Sequence, residues 1–374
     1  MARRRDLGAS RMRLFRKREK KTSGPLVAMS DLRAARWSGL GAVMREGFER
    51  NPVGYRCIRM ISEAAASVGF RSASDDDALM RLLMRPNADQ GGPDLMEGLY
   101  AHLAVTGDSY LEAVSVDDEV RELHVLRPDR MKVLKGARGW PMGWEHRVGS
   151  DARRIMREAD GFLPVLHMRL FNPADDYEGY APLEAAARAV DVHNASGAWT
   201  KALIDNAARP SGALIYSGSQ SLTDAQLAEL RSELASVYQG PENAGRPLLL
   251  SGGLDWKPMS LSPTDMDFVE LRNVAAREIA LAFGVPPMLL GIPGDATSAN
   301  YREANAAFWR LTILPLVNRA ARAISGWLGD RVGGEVVPDL EGVPAFQDER
   351  AVQWQRIEAA TFLTVEEKRR LAGV

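Results

Sequence analysis

The chain has 374 residues, 26% of them charged, a formal net charge of −1 and one cysteine. A length of this order can bury a sizeable core and make two or three substructures. The single thiol, Cys57, excludes an internal disulfide framework and any zinc site needing two thiolates, which fits a reducing, cytosolic place of assembly.

Residues 1–21 hold ten Lys or Arg against Asp6 and Glu19, a net +8 that leaves −9 for the rest. A run of like charge cannot pack, so residues 1–25 are expected to be a disordered basic tail able to meet nucleic acid, anionic lipid or an acidic partner. No apolar stretch of the kind found in a secretory signal follows it. The longest uncharged run, Ile279 to Gly294, falls short of the ~20 residues needed to span a bilayer and is broken by Gly284, Pro286 and Pro287. No membrane insertion is expected.

Beyond the tail, PVGYRCIRMISEAAASV (52–68) spaces Tyr55, Ile58, Ile61, Ala65 and Val68 as one face of a helix. Two more helices are predicted over 78–84 and 93–107, separated by the turn-prone PNADQGG. From Ser109 the period changes to two, and 109–116, 121–126, 129–136 and 163–171 read as half-buried strands. Pro182 to Ala208 then predicts an alanine-rich helix of roughly 40 Å at 1.5 Å per residue. A compact insert follows: strands over 211–218 and 246–253 with a helix between them, opened by a Thr223 and Gln226 capping box and a Leu222 and Leu227 staple. Another helix is expected from Ser262 as N-cap, with Pro263 and Asp265 in its first turn, to Phe283, where Gly284 stops it; Phe268, Leu271, Ala275, Ile279 and Ala282 line one side.

The stretch SANYREANAAFWRLTILPLV (298–317) directly follows GVPPMLLGIPGDAT. Asn300 and Glu303 read as a capping box. Tyr301, Ala304, Phe308 and Leu311 then continue into Ile313, Val317, Ala320, Ile324 and Leu328. Pro315 lies inside that helix, where it removes a backbone bond and clashes with the preceding turn at a cost of about 3 kcal/mol, so a kink is expected near Leu311.

Catalytic machinery is not evident. The five histidines are scattered, without HxxxH spacing or neighbouring ligands. GPENAGRP (240–247) imitates a phosphate loop but has Arg246 and Pro247 where lysine and a hydroxyl would be needed. The acidic groups Asp175, Asp176, Glu178 and Asp265, Asp267, Glu270 could imitate metal ligands; the second set sits in a predicted first helical turn, where acids favour the helix dipole. No cofactor or metal is expected, and no enzyme.

Several segments, in one order, resemble the HK97-type portal proteins of tailed phages, with gene transfer agent portals looking closest. They are NPVGYRCIRMISEAAASV, LMRPNADQ with AHLAVTGDSYLE, ELHVLRPDRMKV, VLHMRLFNPADDYEGYAPLEAAARAV, FGVPPMLLGIPGDATSANYREANAAFWRLTILPLV and FLTVEEKRRLAGV. The resemblance implies an α+β portal fold assembled as a ring, usually of twelve copies, at one capsid vertex, through which double-stranded DNA enters and leaves. In such a fold residues 26–181 would be the first part of a wing. Residues 182–209 and 262–285 would be two stem helices, with 210–261 a small α/β clip between them. Residues 286–345 would be the tunnel loop, the long kinked helix and the rest of the wing, and 346–374 a small crown. The implied partners are further copies of the chain, DNA, a large terminase ATPase, a head–tail adaptor and the major capsid protein.

On this resemblance the candidate tunnel-loop residues are Met288, Leu289, Leu290, Ile292, Asp295, Thr297 and Ser298, supported by Asn300, Arg302, Glu303 and Pro315 of the kinked helix. Gln226, Glu229, Arg231, Glu233, Glu242 and Arg246 are the candidate docking residues of the clip. DNA affinity rises with each phosphate neutralised by Lys or Arg, so a body at −9 suits a conduit better than a clamp. Two other readings stand beside this one: a metal-dependent nuclease using scattered carboxylates, and a DNA-binding module acting through the basic tail.

Overall fold

The computed structural model describes residues 40–136, 140–205, 212–217, 223–226, 228–229, 232, 254–258, 267–294 and 298–372. The basic tail, the predicted strand over 246–253, and Arg231, Glu233, Glu242, Arg246, Asp295 and Thr297 lie outside them.

A short helix, α1 (Leu40–Val43), runs into a π-helical turn (Met44–Glu49) and leads to α2 (Pro52–Ser67). Asn51 caps α2: its side-chain oxygen accepts from Val53 N at 3.1 Å and Gly54 N at 2.9 Å, while Pro52 supplies the fixed φ of the first turn. Cys57, Ile58, Ile61 and Ala65 are buried, whereas Tyr55 is 46% exposed, with its ring 5.0 Å from that of Phe48. The predicted face is thus buried from Ile58 to Val68, and only Tyr55 at its start departs from it.

Strand β1 (Phe70–Ser72), α3 (Ala78–Met84) and α4 (Gly92–Thr106) follow. Helix α4 stops at Gly107, whose φ of +79° and close approach to the backbone of Gly179 and Tyr180 leave no room for a Cβ.

Two antiparallel three-stranded sheets make the strand-rich half. In one, β2 (Asp108–Val116) lies between β3 (Glu119–Leu126) and β7 (Val165–Arg169); in the other, β5 (Pro141–Val148) lies between β4 (Met131–Lys135) and β6 (Asp151–Met156). The β2–β3 turn places Asp117 and Asp118 at φ +54° and +63°, the backbone that a tight hairpin demands and that aspartate tolerates. Strands β5 and β6 break alternation with glycine and arginine and were not visible as a periodicity. Tyr110, Leu126, Trp144, Ile155 and Val165 form a small core between the sheets.

The helical half continues with α5 (Pro182–Ala185), a bend at Ala186, and α6 (Ala187–Asp205). Beyond it, β8 (Gly212–Tyr216) pairs antiparallel with β9 (Leu254–Pro258), so the insert closes on itself and returns the chain beside its point of departure. The Thr223 and Gln226 box is present: each residue's backbone N–H donates to the other's side-chain oxygen, at 3.0 and 3.4 Å. Helix α7 spans Phe268–Phe283. Its N-cap is Asp267, whose side chain accepts from Glu270 N; the predicted cap Ser262, with Pro263 and Asp265, lies outside the described residues. Ala275, Ala276, Ile279, Ala280 and Phe283 are buried, and Leu271, expected among them, is 43% exposed.

After a loop come α8 (Ser298–Phe308), a π-helical turn (Trp309–Ile313) and α9 (Leu314–Val332). The helix thus begins two residues before Asn300, which lies within it, so the predicted Asn300 and Glu303 capping box is not the start of the helix. The buried positions are Phe308, then Ile313, Val317, Ala320, Ala321, Ile324 and Leu328. The step of five from Phe308 to Ile313 is the extra residue of the π turn. It moves Leu311 to the surface, where it is 77% exposed, contrary to the straight-helix periodicity. Strand β10 (Val336–Pro338) then pairs with β1, closing the chain across Phe70 and Pro338. Helices α10 (Gln347–Ala359) and α11 (Val365–Ala372) follow, α11 opened by a Thr364 and Glu367 capping box. The main core joins α2, α4, α7 and α9 through Ile58, Leu99, Leu103, Ile279, Ile313 and Ile324. The architecture is α+β, as expected.

Candidate functional site

Three features of the region after α7 fix the loop that the sequence singles out. Gly284 takes the left-handed conformation, φ +67°, and its N–H and that of Val285 close the helix on Leu281 and Ala280 carbonyls. Thr312 Oγ1 donates to the Gly284 carbonyl at 2.6 Å, tying the π turn to the start of the loop. The Arg277 guanidinium donates to the Pro293 carbonyl and so ties the loop's far end to α7.

Between these ties Pro287–Leu290 form one 3₁₀ turn, ended by Gly291 at φ +71°. Proline at the first position needs no N–H and has the φ the turn requires. Met288, Leu289, Leu290 and Ile292 are half-buried. Leu289 and Leu290 pack against the core, which leaves Met288 and Ile292 as the less committed apolar side chains of this turn. Arg302 and Glu303 are exposed on α8.

Pro315 sits in the first turn of α9. The π turn accounts for it: Leu314 N donates five residues back, to Trp309 O, so the widened turn meets the position at which proline can neither donate nor tolerate a close carbonyl. The irregularity lies where the kink was expected, at 309–313.

In the insert, Gln226 and Glu229 are exposed, and Gln226 is engaged in its capping box.

A polar network with no signature in the sequence anchors α6 and α7 to α2. Asn51, 1% exposed, donates through Nδ2 to Asn194 Oδ1 at 2.9 Å and lies 3.2 Å from His193 Nδ1. Asn194 Nδ2 donates to the Glu46 carbonyl at 2.9 Å, and Arg272 Nε donates to His193 Nε2 at 3.3 Å. Burial, and then the Arg272 guanidinium, hold His193 below its ordinary pKa, so the ring stays neutral and can accept from the arginine. Farther up, the rings of Trp199 and Phe268 stack with centroids 4.0 Å apart. The only advance signal was Asn51 before Pro52, an N-cap pattern that says nothing of its second role.

Of the predicted acidic groups, Asp265 lies outside the described residues, and Asp175 and Asp267 have local duties. Asp175 accepts from Tyr177 N and Glu178 N, bonds that lower its pKa, and Asp267 caps α7. Among the described residues no grouping of three His, Cys, Asp or Glu could hold a metal ion, and no helix is long and apolar enough to cross a membrane.

A family profile described as "Phage portal protein" matches residues 52–373. The chain belongs to the phage portal protein family. As a portal protein it is 51% identical to a chain of a solved structure, the neck of a native gene transfer agent particle computed with C12 symmetry, covering 90% of this chain and 93% of that one with a TM-score of 0.71. It is 49% identical to a chain of the neck of an empty gene transfer agent particle computed with C6 symmetry, covering 90% and 95% with a TM-score of 0.72. The portal protein of Enterobacteria phage HK97 is 26% identical over 290 residues, 73% of this chain and 66% of that one. Both the HK97-type resemblance and the nearness to gene transfer agent portals are borne out.

Proposed function

We propose that this portal protein forms a ring of twelve copies at one vertex of a phage or gene transfer agent capsid, and that double-stranded DNA passes through its bore during packaging and ejection. The similarity that carries the reading is the 51% identity, across nine-tenths of the chain, to a particle neck computed with C12 symmetry. Within it, α6 and α7 are the stem, β8, β9 and the residues between them the clip, and the strand-rich half with α2–α4 and α9 the wing. The clip meets the terminase ATPase during packaging and the head–tail adaptor afterwards; the wing and α10–α11 face the major capsid protein and the interior. The role is mechanical, with no bond made or broken by the chain.

Residues 286–299 are the tunnel loop. From Val285 to Tyr301 the sequence contains no Lys or Arg, so nothing there binds phosphate as a cation would. Met288, Ile292 and the neutral residues after them let the duplex slide. Two measurements test the reading. End-on electron micrographs of the purified chain show closed rings with a central hole; a lone globule at every concentration overturns the ring. Replacing both Asp295 and Thr297 by lysine slows or traps DNA in a packaging assay; undiminished packaging by that variant overturns the sliding role of the loop.

A further inference from the structure

Helix α7 has a second apolar face that its own chain leaves bare. Leu271, Val274 and Leu281 are 43%, 41% and 78% exposed, and with Glu278 they fall at a three- and four-residue spacing along one side. Ala275, Ala276 and Ile279, turned toward the core, lie on another side, and Phe268 and Arg272 meet α6 through Trp199 and His193. The outer side of α6 has the opposite relief. Ala195, Ala198 and Ala202 are exposed, and beside them a cleft of about 530 Å³ opens between α6 and the start of α2. Ala195, Gly197 and Ala198 line it together with Arg50, Lys201 and Arg272, three cations against the two acids Glu46 and Asp191. Arg50 and Lys201 pair with Glu46 and Asp205, but Arg272 has only the histidine ring and no acidic partner among the described residues. Glu278, in the middle of the α7 ridge, is exposed and likewise has no cationic partner there.

We infer that the α7 ridge of one copy seats in the α6 cleft of the next, with Leu271, Val274 and Leu281 over the alanines and Glu278 toward the cations beside them. This rests on the ring reading and names the surfaces that close it. A ridge and a cleft on different faces of one helix pair cannot satisfy each other within a single chain, and each copy offers both to its neighbours. They fit head to tail, the relation that generates rings. Small residues let the helices approach closely, and the ridge charge complements those cations.

Cross-linking decides the pairing, because Cys57 is buried and does not compete. The full-length double variant Ala198→Cys, Val274→Cys, oxidised under mild conditions, gives a ladder of covalent multimers on a denaturing gel. Mixing the two single variants gives covalent dimers, and neither single variant alone gives any. In addition, Glu278→Lys shifts the assembled protein toward single copies at a concentration at which the unaltered chain is assembled. Covalent dimers from Val274→Cys alone would show a symmetric contact and overturn the pairing. Rings seen by electron microscopy without a ladder would also overturn it while leaving the ring intact. Neither rings nor ladder would overturn both.

Discussion

Replacing Asn51 by alanine removes three interactions at once. The helix cap on Val53 and Gly54 is worth about 1 kcal/mol. Loss of the Nδ2 group also orphans the half-buried Asn194 Oδ1, at about 1–3 kcal/mol. The expected loss for Asn51→Ala is therefore about 3 kcal/mol. Asn51→Asp keeps the capping oxygen and sets a carboxylate against His193. That raises the folded pKa of the ring, so the interaction stabilises below the unfolded histidine value of about 6.5 and fades as pH rises through the raised folded value. The aspartate variant should gain stability relative to the alanine variant as pH falls below 7. Urea unfolding followed by tryptophan fluorescence measures both, at protein concentrations low enough that assembly does not add its own stabilisation. A loss below 1 kcal/mol for Asn51→Ala, or the same deficit for both variants at every pH, would refute the network.

Three further outcomes follow from the geometry. Burial, opposed by Asp129 and assisted by Arg127, pushes the His102 pKa down to about 4, so the unfolded chain takes up a proton that the folded chain resists. Stability should fall by about 2–3 kcal/mol between pH 7 and pH 4.5, and His102→Gln should flatten that slope in the same unfolding assay. Gly284→Ala puts a Cβ 2.8 Å from Thr312 Oγ1 at a φ of +67°, and should cost about 2 kcal/mol. Combined with Thr312→Ala, which removes the obstructing hydroxyl, the two losses should sum to less than their separate values. Pro315→Ala should change stability by less than 1 kcal/mol, because the π turn already accommodates the missing N–H; a gain near 3 kcal/mol would show that the proline strains the helix after all.

The elements that sequence reading located are those with local causes. Asn51–Pro52, Gly107, Gly284 and the Thr223 box are punctuation set by a few adjacent atoms, and the apolar spacing of α4 or β2 is set by one buried face. Strands β5 and β6 lack such a face: Trp144 and Ile155 are buried, but Gly143, Arg153 and Arg154 interrupt the alternation around them. At the start of α7 the described cap is Asp267, one of several acceptable caps that the sequence offers within six residues. Leu311 was misplaced because a 3.6-residue period assumes that no residue is added to the turn. For the candidate site, the loop's glycines and prolines were legible, and so was the position of the irregularity beside Pro315. The Thr312, Arg277 and Asn51 tethers were not, since each joins residues brought together only by the fold.

The π turn at 309–313 also bears on how this helix can change over evolutionary time. Deleting a single codon there would restore an ordinary turn and bring Phe308 and Ile313 to a spacing of four, leaving the apolar face downstream in phase. Val317, Ile324 and Leu328 would still face the interior, but Pro315 would meet an unyielding carbonyl. The obstacle to losing the extra residue is accordingly the proline and not the packing, and the two would have to change together.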